Sequence, residues 1–216
     1  ILFRGEEPWL RIDAFGQAFF QAITELGIKQ TVAVEGVNGP VPPDMERRIT
    51  CVYSKPEMKE ELERFGVQFS SYGSEGRRGP TIAMALVALA HYEYPDIEIF
   101  RLGAMAPMFP FVTSNNQPVG ISEDHRSFYD IMRRLNDMFK LNVDLSELRE
   151  QGQAEARQLQ ERLDQISASN SDARQLIESA RADYSYTPYE VPVNLDPALD
   201  KTLDDILRNM PESDDR

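Results

Sequence analysis

Over residues 1–140, short apolar runs rich in β-branched residues alternate with longer stretches of helical periodicity, and this alternation constrains the fold more than any other feature. The predicted strands are 1–3, 31–34, 49–53, 67–69 and 97–102. The predicted helices lie at about 9–26, 57–65, 81–91 and 122–139. Such alternation is typical of a mostly parallel sheet covered on both faces. The sequence therefore predicts an α/β core over residues 1–143, with long irregular segments at 38–44 and 103–121.

Residues 141–216 differ from the first part of the chain in charge and in hydrophobic pattern. Residues 1–140 carry 19 acidic and 15 basic residues, whereas 141–216 carry 17 and 8, so the net charge changes from −4 to −9. Two polar helical patterns with sparse apolar stripes predict a helical hairpin at 144–185 that covers the core as a lid. Residues 186–216 are predicted to be an extended or disordered acidic tail, in which 199–207 could form a short helix.

Composition excludes several classes of function. The formal net charge of −13 argues against binding nucleic acid or an anionic membrane surface, since both require a basic face. No apolar run reaches the ~18–20 residues of a membrane span. The single cysteine, Cys51, excludes an intrachain disulfide and a multi-cysteine zinc site, and it favours a reducing, cytoplasmic location.

Catalytic and cofactor motifs are also missing from the sequence. Neither His91 nor His125 has further metal ligands at short spacing, so we expect no metal and no other cofactor. The sequence contains no GxxxxGK phosphate loop, no GxGxxG after a strand and no GxSxG elbow. These observations favour a protein without catalytic activity.

Two groups of residues remain as candidate ligand sites. The first is a glycine-rich loop that leads into a helix, where free N–H groups and arginine could bind an anion: Arg77, Arg78, Gly79 and Thr81. The alternative is that these arginines only offset neighbouring acidic residues in a solvated loop. The second is the rim where strands end, which is where ligands bind in open α/β sheets: Arg4, Gly5, Glu6, Glu35, Gly36, Pro107 and Phe109. Alternatively, the methionine and phenylalanine residues of 105–111 pack beneath the helical hairpin.

Several segments in a fixed order carry a resemblance to a known family. They are residues 5–8 before a tryptophan-started helix, the strand 31–34, the helix start 79–81, Ala106-Pro107 and the stretch 142–148. With this order and spacing the chain, from residue 1 to about 185, resembles the proteasome assembly chaperone 2-like family of actinobacteria and archaea. The resemblance implies a core similar to the purine nucleoside phosphorylases, a C-terminal helical segment over a ligand site, and homo-oligomers, commonly trimers.

This chain also departs from the family pattern in three places. Family members carry a strand-helix-strand portion that would precede Ile1. The family's loop usually reads Pro-His-Thr-Arg-Pro, whereas the matching stretch 40–48 lacks histidine and has a different arrangement. Ile82 stands where many relatives have glycine.

Three functions remain open at this stage. The first is a non-catalytic, oligomeric module that binds a small anionic ligand or a protein partner. It is favoured by the absence of a nucleophile-base pair and by the amphipathic hairpin, and the resemblance implies no established catalytic activity for the bacterial members. The second is a phosphorylase-like transferase or hydrolase of a small anionic substrate, with Glu35 as general base. The third is an adaptor that recruits a partner through the hairpin and the acidic tail.

Overall fold

The computed structural model describes residues 1–6, 8, 10–70, 81–112 and 118–190. The helices are α1 (Ile12–Glu25), α2 (Met58–Glu63), α3 (Ile82–Glu93), α4 (His125–Phe139), α5 (Ser146–Ser169) and α6 (Ser171–Asp183). The strands are β1 (Gln30–Gly39), β2 (Ile49–Tyr53), β3 (Gln68–Phe69), β4 (Glu98–Val112) and β5 (Pro118–Gly120).

The strands form one mixed sheet in the order β1-β4-β2-β3, and β5 pairs with the far part of β4. The longest pairing is parallel and joins β1 to β4, from Gln30 opposite Glu98 to Gly39 opposite Pro107. β2 is parallel to β3 and antiparallel to β4, and β5 is antiparallel to β4. The predicted α/β class, with a mostly parallel sheet flanked by helices and C-terminal helices, is confirmed.

The predicted loop 103–121 is wrong, because β4 continues through two prolines to Val112. The backbone N–H of Glu98 donates to Lys29 O. The backbone N–H and C=O groups of even-numbered β4 residues therefore point toward β1, and those of odd-numbered residues point toward β2. Pro107 faces the β2 side, beyond the last β2 pair at Ala104. Pro110 faces the β1 side, beyond the last β1 pair at Pro107. Neither proline therefore removes a donor that the ladder with β1 or β2 needs.

The predicted strand 1–3 is also wrong. Residues 1–6 have no regular structure, and the side chains of Ile1 and Leu2 are 96% and 94% exposed. The Phe3 ring instead makes an edge contact with the Phe19 ring of α1, with 6.1 Å between centroids. The apolar run thus makes an aromatic contact with a helix and pairs with no described strand.

Both faces of the sheet are covered by helices. On one face Ile99 of β4 packs against Phe20 and Ile23 of α1 and against buried residues of α3. Gly16 makes the α1–α3 contact possible, because a Cβ there would lie 2.4 Å from Leu89 Cδ1. On the other face Phe100, Leu102 and Ala104 pack against α2 and α4.

The C-terminal helices cover the far part of β4. α5 and α6 are separated by a single residue, Asn170, whose side-chain oxygen accepts the backbone N–H groups of Asp172 and Ala173 at 3.0 Å each. Their apolar residues, including Leu159 and Leu163, pack on Phe109 and β5. The short helix predicted at 199–207 lies outside the described residues.

Candidate functional site

A polar network centres on Glu35, four residues before the end of β1, beside the N-terminus of α3. The Arg101 Nε of β4 donates to Glu35 Oε1 at 2.5 Å, and the Thr81 hydroxyl donates to the same oxygen at 3.0 Å. The Arg101 Nη1 also donates to Thr50 Oγ1 of β2 at 2.5 Å. We call Glu35, Thr50, Thr81 and Arg101 the sheet-end network. It joins three strands and one helix through a single buried guanidinium.

Gly103 gives the Arg101 side chain its room. Glu35 lies opposite Gly103 on one side, and Thr50 lies opposite it on the other. A Cβ at Gly103 would lie 2.2 Å from the Arg101 Cζ and Nη2 atoms. The guanidinium can therefore lie over Gly103 and contact the residues on both neighbouring strands.

The structure brings together some of the predicted rim residues. Glu35 and Thr81 are in contact. Gly36 lies opposite Ala104, at the next position of the β1–β4 pairing after Glu35 and Gly103. Gly36 and Pro107 lie within strands and not in turns. Pro107 pairs with Gly39, three residues beyond Gly36, which is about 10 Å along the strand.

Other predicted residues lie elsewhere. Phe109 is 2% exposed and packs beneath α5, as the packing alternative predicts. Arg4, Gly5 and Glu6 are exposed, and no described contact joins them to Glu35. Arg77, Arg78 and Gly79 lie outside the described residues, so the anion-binding loop stays a prediction.

Sequence reasoning missed Arg101 and Thr50. A signal for Arg101 is present in the predicted strand 97–102, where it lies on the same face as Ile97 and Ile99. A cation on an otherwise apolar strand face needs a buried partner. Glu35 was already a candidate, and pairing the two would have predicted the network.

A second polar network surrounds α4 and has no counterpart in the sequence predictions. Arg47 is fully buried, and its guanidinium donates to Asp124 through Nε at 2.8 Å and Nη2 at 3.1 Å. Its Nη1 donates to three carbonyl oxygens of 42–45, and its backbone N–H donates to Asp130 Oδ2 at 2.8 Å. Arg47 thereby fixes the proline-rich segment 40–48 against α4.

Arg134 joins the same network to the end of α2. It is also fully buried, and it donates to the carbonyl oxygens of Phe65 at 2.8 Å and Gly66 at 3.1 Å. Its Nη2 lies 3.0 Å from Glu46 Oε1, and Arg133 forms an ion pair with the same carboxylate. The α4 network is defined as Glu46, Arg47, Asp124, Asp130, Arg133 and Arg134.

The segment 184–190, which we call the strap, docks on this network. The Tyr184 hydroxyl donates to Glu46 O at 2.9 Å and accepts from the Arg48 N–H at 2.7 Å, and burial raises the pKa of Tyr184. The Tyr189 hydroxyl donates to Asp137 Oδ2 at 2.5 Å, and Arg133 Nη1 donates to Tyr189 O at 2.6 Å. Part of the predicted tail therefore lies against the core.

The described residues offer little reactive chemistry. They contain no group of three or more His, Cys, Asp or Glu side chains placed to hold a metal ion. Burial raises the pKa of the Cys51 thiol to about 12, so its thiolate is scarce near neutral pH. Among the helices described, none combines the length and apolarity that crossing a bilayer requires. The Glu35 carboxylate is bound by a guanidinium and a hydroxyl.

The fold is an α/β sheet with helices on both faces, and sequence comparison assigns the family. The PAC2 family profile matches residues 1–166, and the chain belongs to that family. The predicted resemblance to the proteasome assembly chaperone 2-like family is thereby confirmed. No curated protein matches the chain.

Solved structures with a similar fold include three from actinobacteria. A protein of unknown function from Corynebacterium glutamicum is 16% identical, with a TM-score of 0.61 over 83% of this chain and 59% of its own. A proteasome-assembly chaperone homologue from Mycobacterium tuberculosis is 17% identical, with a TM-score of 0.59 over 80% and 64%. A PAC2 family protein from Streptomyces avermitilis is 21% identical, with a TM-score of 0.56 over 80% and 63%. The chain thus spans less than two thirds of the length of these proteins.

Proposed function

We propose that this chain is a non-catalytic, protein-binding member of the PAC2 family, and that it associates through the edge of β1 that the described residues leave unpaired. β1 is the terminal strand of the sheet, and within the described ranges β4 is its only partner. The open edge is ten residues long, about 33 Å. Monomeric proteins usually keep edge strands short, charged or covered, because an exposed edge pairs with other chains.

The composition of β1 supports pairing with another strand. Its only charged residue is Glu35, which Arg101 holds within the sheet-end network. Val34 and Val37 are 52% and 41% exposed. Because Lys29 O accepts from Glu98, odd-numbered β1 residues face β4, and even-numbered ones direct their N–H and C=O groups outward. Val34 therefore offers both an outward backbone and an exposed apolar side chain.

We propose two kinds of partner for this edge. A second copy of the chain would give the homo-oligomer, and the family resemblance favours a trimer. A strand of a proteasome subunit is the second partner, by analogy with the neighbour described as a proteasome-assembly chaperone homologue. Strand addition suits both partners, since backbone hydrogen bonds give affinity with little dependence on sequence. The cytoplasm is the proposed location, in keeping with the single cysteine.

The sheet-end network supports a structural role for Glu35 and not a catalytic one. A general base needs a carboxylate that can accept a proton from substrate. The Glu35 carboxylate instead accepts from Arg101 and Thr81, and its side chain is 16% exposed. The alternative enzyme, a transferase or hydrolase of a small anion bound by Arg77 and Arg78, would require Glu35 to leave Arg101.

The test is a substitution that removes one outward donor from the edge. Val34→Pro deletes an N–H that points away from β4, so the β1–β4 ladder keeps its hydrogen bonds. Val34→Thr is the matched control, because threonine is β-branched, similar in size and retains the N–H. Sedimentation velocity should show an oligomer for the wild type and for Val34→Thr, and a folded monomer for Val34→Pro. A wild-type monomer that also binds no proteasome subunit would contradict the proposal, as would an unchanged Val34→Pro oligomer.

A further inference from the structure

One side of α4 carries exposed apolar side chains. Phe128 and Phe139 are 46% and 38% exposed, and Met132 between them is half-buried. Their spacing of four and seven residues places all three on one side of the helix. Phe128 and Phe139 belong to none of the buried apolar clusters that the described residues form. We call these three residues the α4 stripe, an apolar surface that the described core does not bury.

The α4 stripe lies on the side of the helix that faces the β1 end of the sheet. α2 lies on the other side, where Arg134 donates to the carbonyl oxygens of Phe65 and Gly66. At about 100° per residue, the stripe lies about 120–160° around the helix from Arg134. The strand order is β1-β4-β2-β3, and Lys59 of α2 lies over the Phe69 ring of β3. Because α2 marks the β3 end of the sheet, the stripe faces the β1 end.

The face of β1 beside the stripe is also uncovered. Val34 lies opposite Leu102, so their side chains share one face of the sheet, and Leu102 packs in the core beneath α4. Val34 itself is 52% exposed, and Gly36, the next residue on that face, is exposed as well. The face of β1 and the α4 stripe thus form the floor and one wall of an apolar groove. The groove is open on the side where β1 has no described partner.

The edge of β1 alone is too small for a stable interface. Ten residues give an edge about 33 Å long, and a sheet layer is about 10 Å thick, so strand pairing covers ~330 Å² on each partner. Stable protein interfaces bury about 800 Å² on each partner. Association through β1 therefore has to include neighbouring surface, and the groove is exposed apolar surface continuous with that edge.

A second copy of the chain matches this surface. Among the described strands, β3 at the other end of the sheet has two residues and β5 has three, so neither edge matches the length of β1. The β1 strand of a second copy has the same length, and a two-fold axis pairs a strand with itself in antiparallel orientation. Both copies then contribute the same groove, and the two α4 stripes face each other across a shared floor.

The outward-facing residues of β1 select the register of this pairing. Even-numbered residues direct their backbone groups outward, so even-numbered residues lie opposite each other in an antiparallel pair. A two-fold axis at Val34 pairs residues 30–38 with the same residues of the second copy. It places Val34 opposite Val34 and the exposed Val37 opposite Thr31. An axis at Glu35 would instead place two carboxylates opposite each other, which is destabilising.

Large side chains are needed to close the space between the two α4 helices. α4 packs on β4, and β1 lies between β4 and the two-fold axis. Three strand spacings, about 14 Å, therefore separate β4 from its copy, whereas helices in direct contact lie about 8–10 Å apart. The phenylalanine rings of the two α4 stripes fill this difference above the paired valines.

We propose that the chain forms a two-fold dimer in which the β1 strands pair antiparallel at Val34 and the two α4 stripes pack over them. The proposal rests on the proposed association through β1, and it adds the partner, a second copy, and the register of the pairing. A trimer built through a different surface would then double to a hexamer.

Disulfide formation in the full chain tests the register. Val34→Cys places two thiols on directly opposed residues with Cα atoms about 5.5 Å apart, which suits a disulfide. Val37→Cys is the matched control, because it replaces another exposed valine of β1 that would lie about 20 Å from its copy. The native Cys51 is buried and its thiol pKa is raised to about 12, so it stays unreactive. With oxidised glutathione, we expect Val34→Cys to form a covalent dimer about tenfold faster than Val37→Cys.

Phe128→Ser tests the contribution of the α4 stripe. Each dimer loses two buried rings, so we expect the dimer dissociation constant, measured by sedimentation velocity, to rise by about a hundredfold. Phe128→Leu is the matched control, because leucine keeps an apolar side chain at the same position, and it should raise the constant by less than about tenfold. Circular dichroism should show that both variants remain folded, since Phe128 is 46% exposed in the single chain.

The outcomes separate this dimer from the proposed function itself. The dimer would be overturned, and association through β1 kept, if Val34→Pro disrupts an oligomer that Phe128→Ser leaves unchanged and Val34→Cys does not cross-link. A wild-type trimer, or a monomer that binds a proteasome subunit, would overturn the dimer as well. A wild-type monomer that binds no proteasome subunit would overturn both the dimer and the proposed function.

Discussion

The sheet-end network and the α4 network both contain buried arginine, but the arginines bind different kinds of partner. In the first, one arginine joins side chains on neighbouring strands that the sheet already aligns. In the second, Arg47 and Arg134 donate largely to backbone carbonyls of irregular segments, which no ladder or helix would otherwise fix. The comparison indicates that the α4 network determines tertiary structure, whereas the sheet-end network adjusts a surface that the sheet has already formed.

The largest effect is expected from Arg47→Met. The substitution leaves Asp124 buried without its cation and removes donors from three carbonyl oxygens, so we expect a loss of about 3–5 kcal/mol in the free energy of unfolding. Urea unfolding followed by circular dichroism measures it. Arg181→Met is the control, because its ion pair with Asp44 is largely exposed and should be worth less than about 1 kcal/mol. Similar losses for the two variants would contradict the importance of the α4 network.

Glu35→Gln should have the next largest effect. It removes the charge that compensates Arg101, and we expect a loss of about 2–3 kcal/mol, less than for Arg47→Met because the sheet still aligns the strands. In an Arg101→Met background the same substitution should cost much less, since the uncompensated guanidinium is gone. Equal costs in the two backgrounds would show that the pair is not coupled.

Glu35→Gln also separates the proposed function from the enzyme alternative. Association through β1 should survive the substitution, because the backbone edge is unchanged. A catalytic Glu35 would instead require that Glu35→Gln abolishes turnover of a small anionic substrate with little loss of binding. Detection of such turnover in the wild type would contradict the non-catalytic account.

Gly103→Ala tests how the guanidinium is positioned. The new methyl group would overlap Arg101 Cζ, which lies 2.2 Å from an ideal Cβ, and the flexible arginine would have to move away. We expect a loss of about 1–2 kcal/mol in the wild type. The loss should nearly vanish in an Arg101→Met chain. If it persists there, the strand backbone and not the arginine carries the strain.

The smallest effect concerns the strap and depends on pH. Hydrogen bonds from Lys140 and Tyr189 lower the pKa of Asp137 below its ordinary value. The Asp137 carboxyl therefore has a lower pKa in the folded state than in the unfolded chain. Its contribution to the free energy of unfolding is complete above about pH 4 and is lost as the pH falls through the folded-state pKa. Tyr189→Phe should cost about 1 kcal/mol at pH 7.

The cost of Tyr189→Phe should shrink at pH 3, where Asp137 begins to be protonated in both proteins. Unfolding by urea at the two pH values measures the difference. A cost that is the same at pH 7 and pH 3 would mean that the tyrosine acts through packing alone.

The sequence predicted those parts of the fold that depend on local pattern. Neighbouring residues are enough to predict the periodicity of α1 and its end at Gly27, where φ is +68°. The same holds for α3, which is apolar on all sides. The extension of β4 was missed because Pro107 and Pro110 end a strand by local rules. They are tolerated because Pro107 lies beyond the last β2 pair and Pro110 lies beyond the last β1 pair, and that depends on register.

The candidate site divides in the same way. Glu35 and Thr81 were candidates because the predicted strand 31–34 ends before Glu35 and a predicted helix starts at Thr81. The structure keeps the contact between them, although β1 continues to Gly39. Arg47 and Asp124 are separated by 77 residues, and nothing near either of them indicates burial. Arg47 donates to backbone carbonyl oxygens of a proline-rich segment. Every residue has such a carbonyl, so the sequence does not show which ones bind an arginine.

Amide hydrogen exchange along β1 tests the central claim most directly, because alternate amides of this strand face opposite sides. Odd-numbered residues donate toward β4 and should be protected in every state. Even-numbered residues, among them Val32, Gly36 and Asn38, should be protected in the wild-type assembly and should exchange rapidly in the Val34→Pro monomer. If the even-numbered amides exchange rapidly in the wild-type assembly as well, the open edge of β1 is not the surface through which this protein associates.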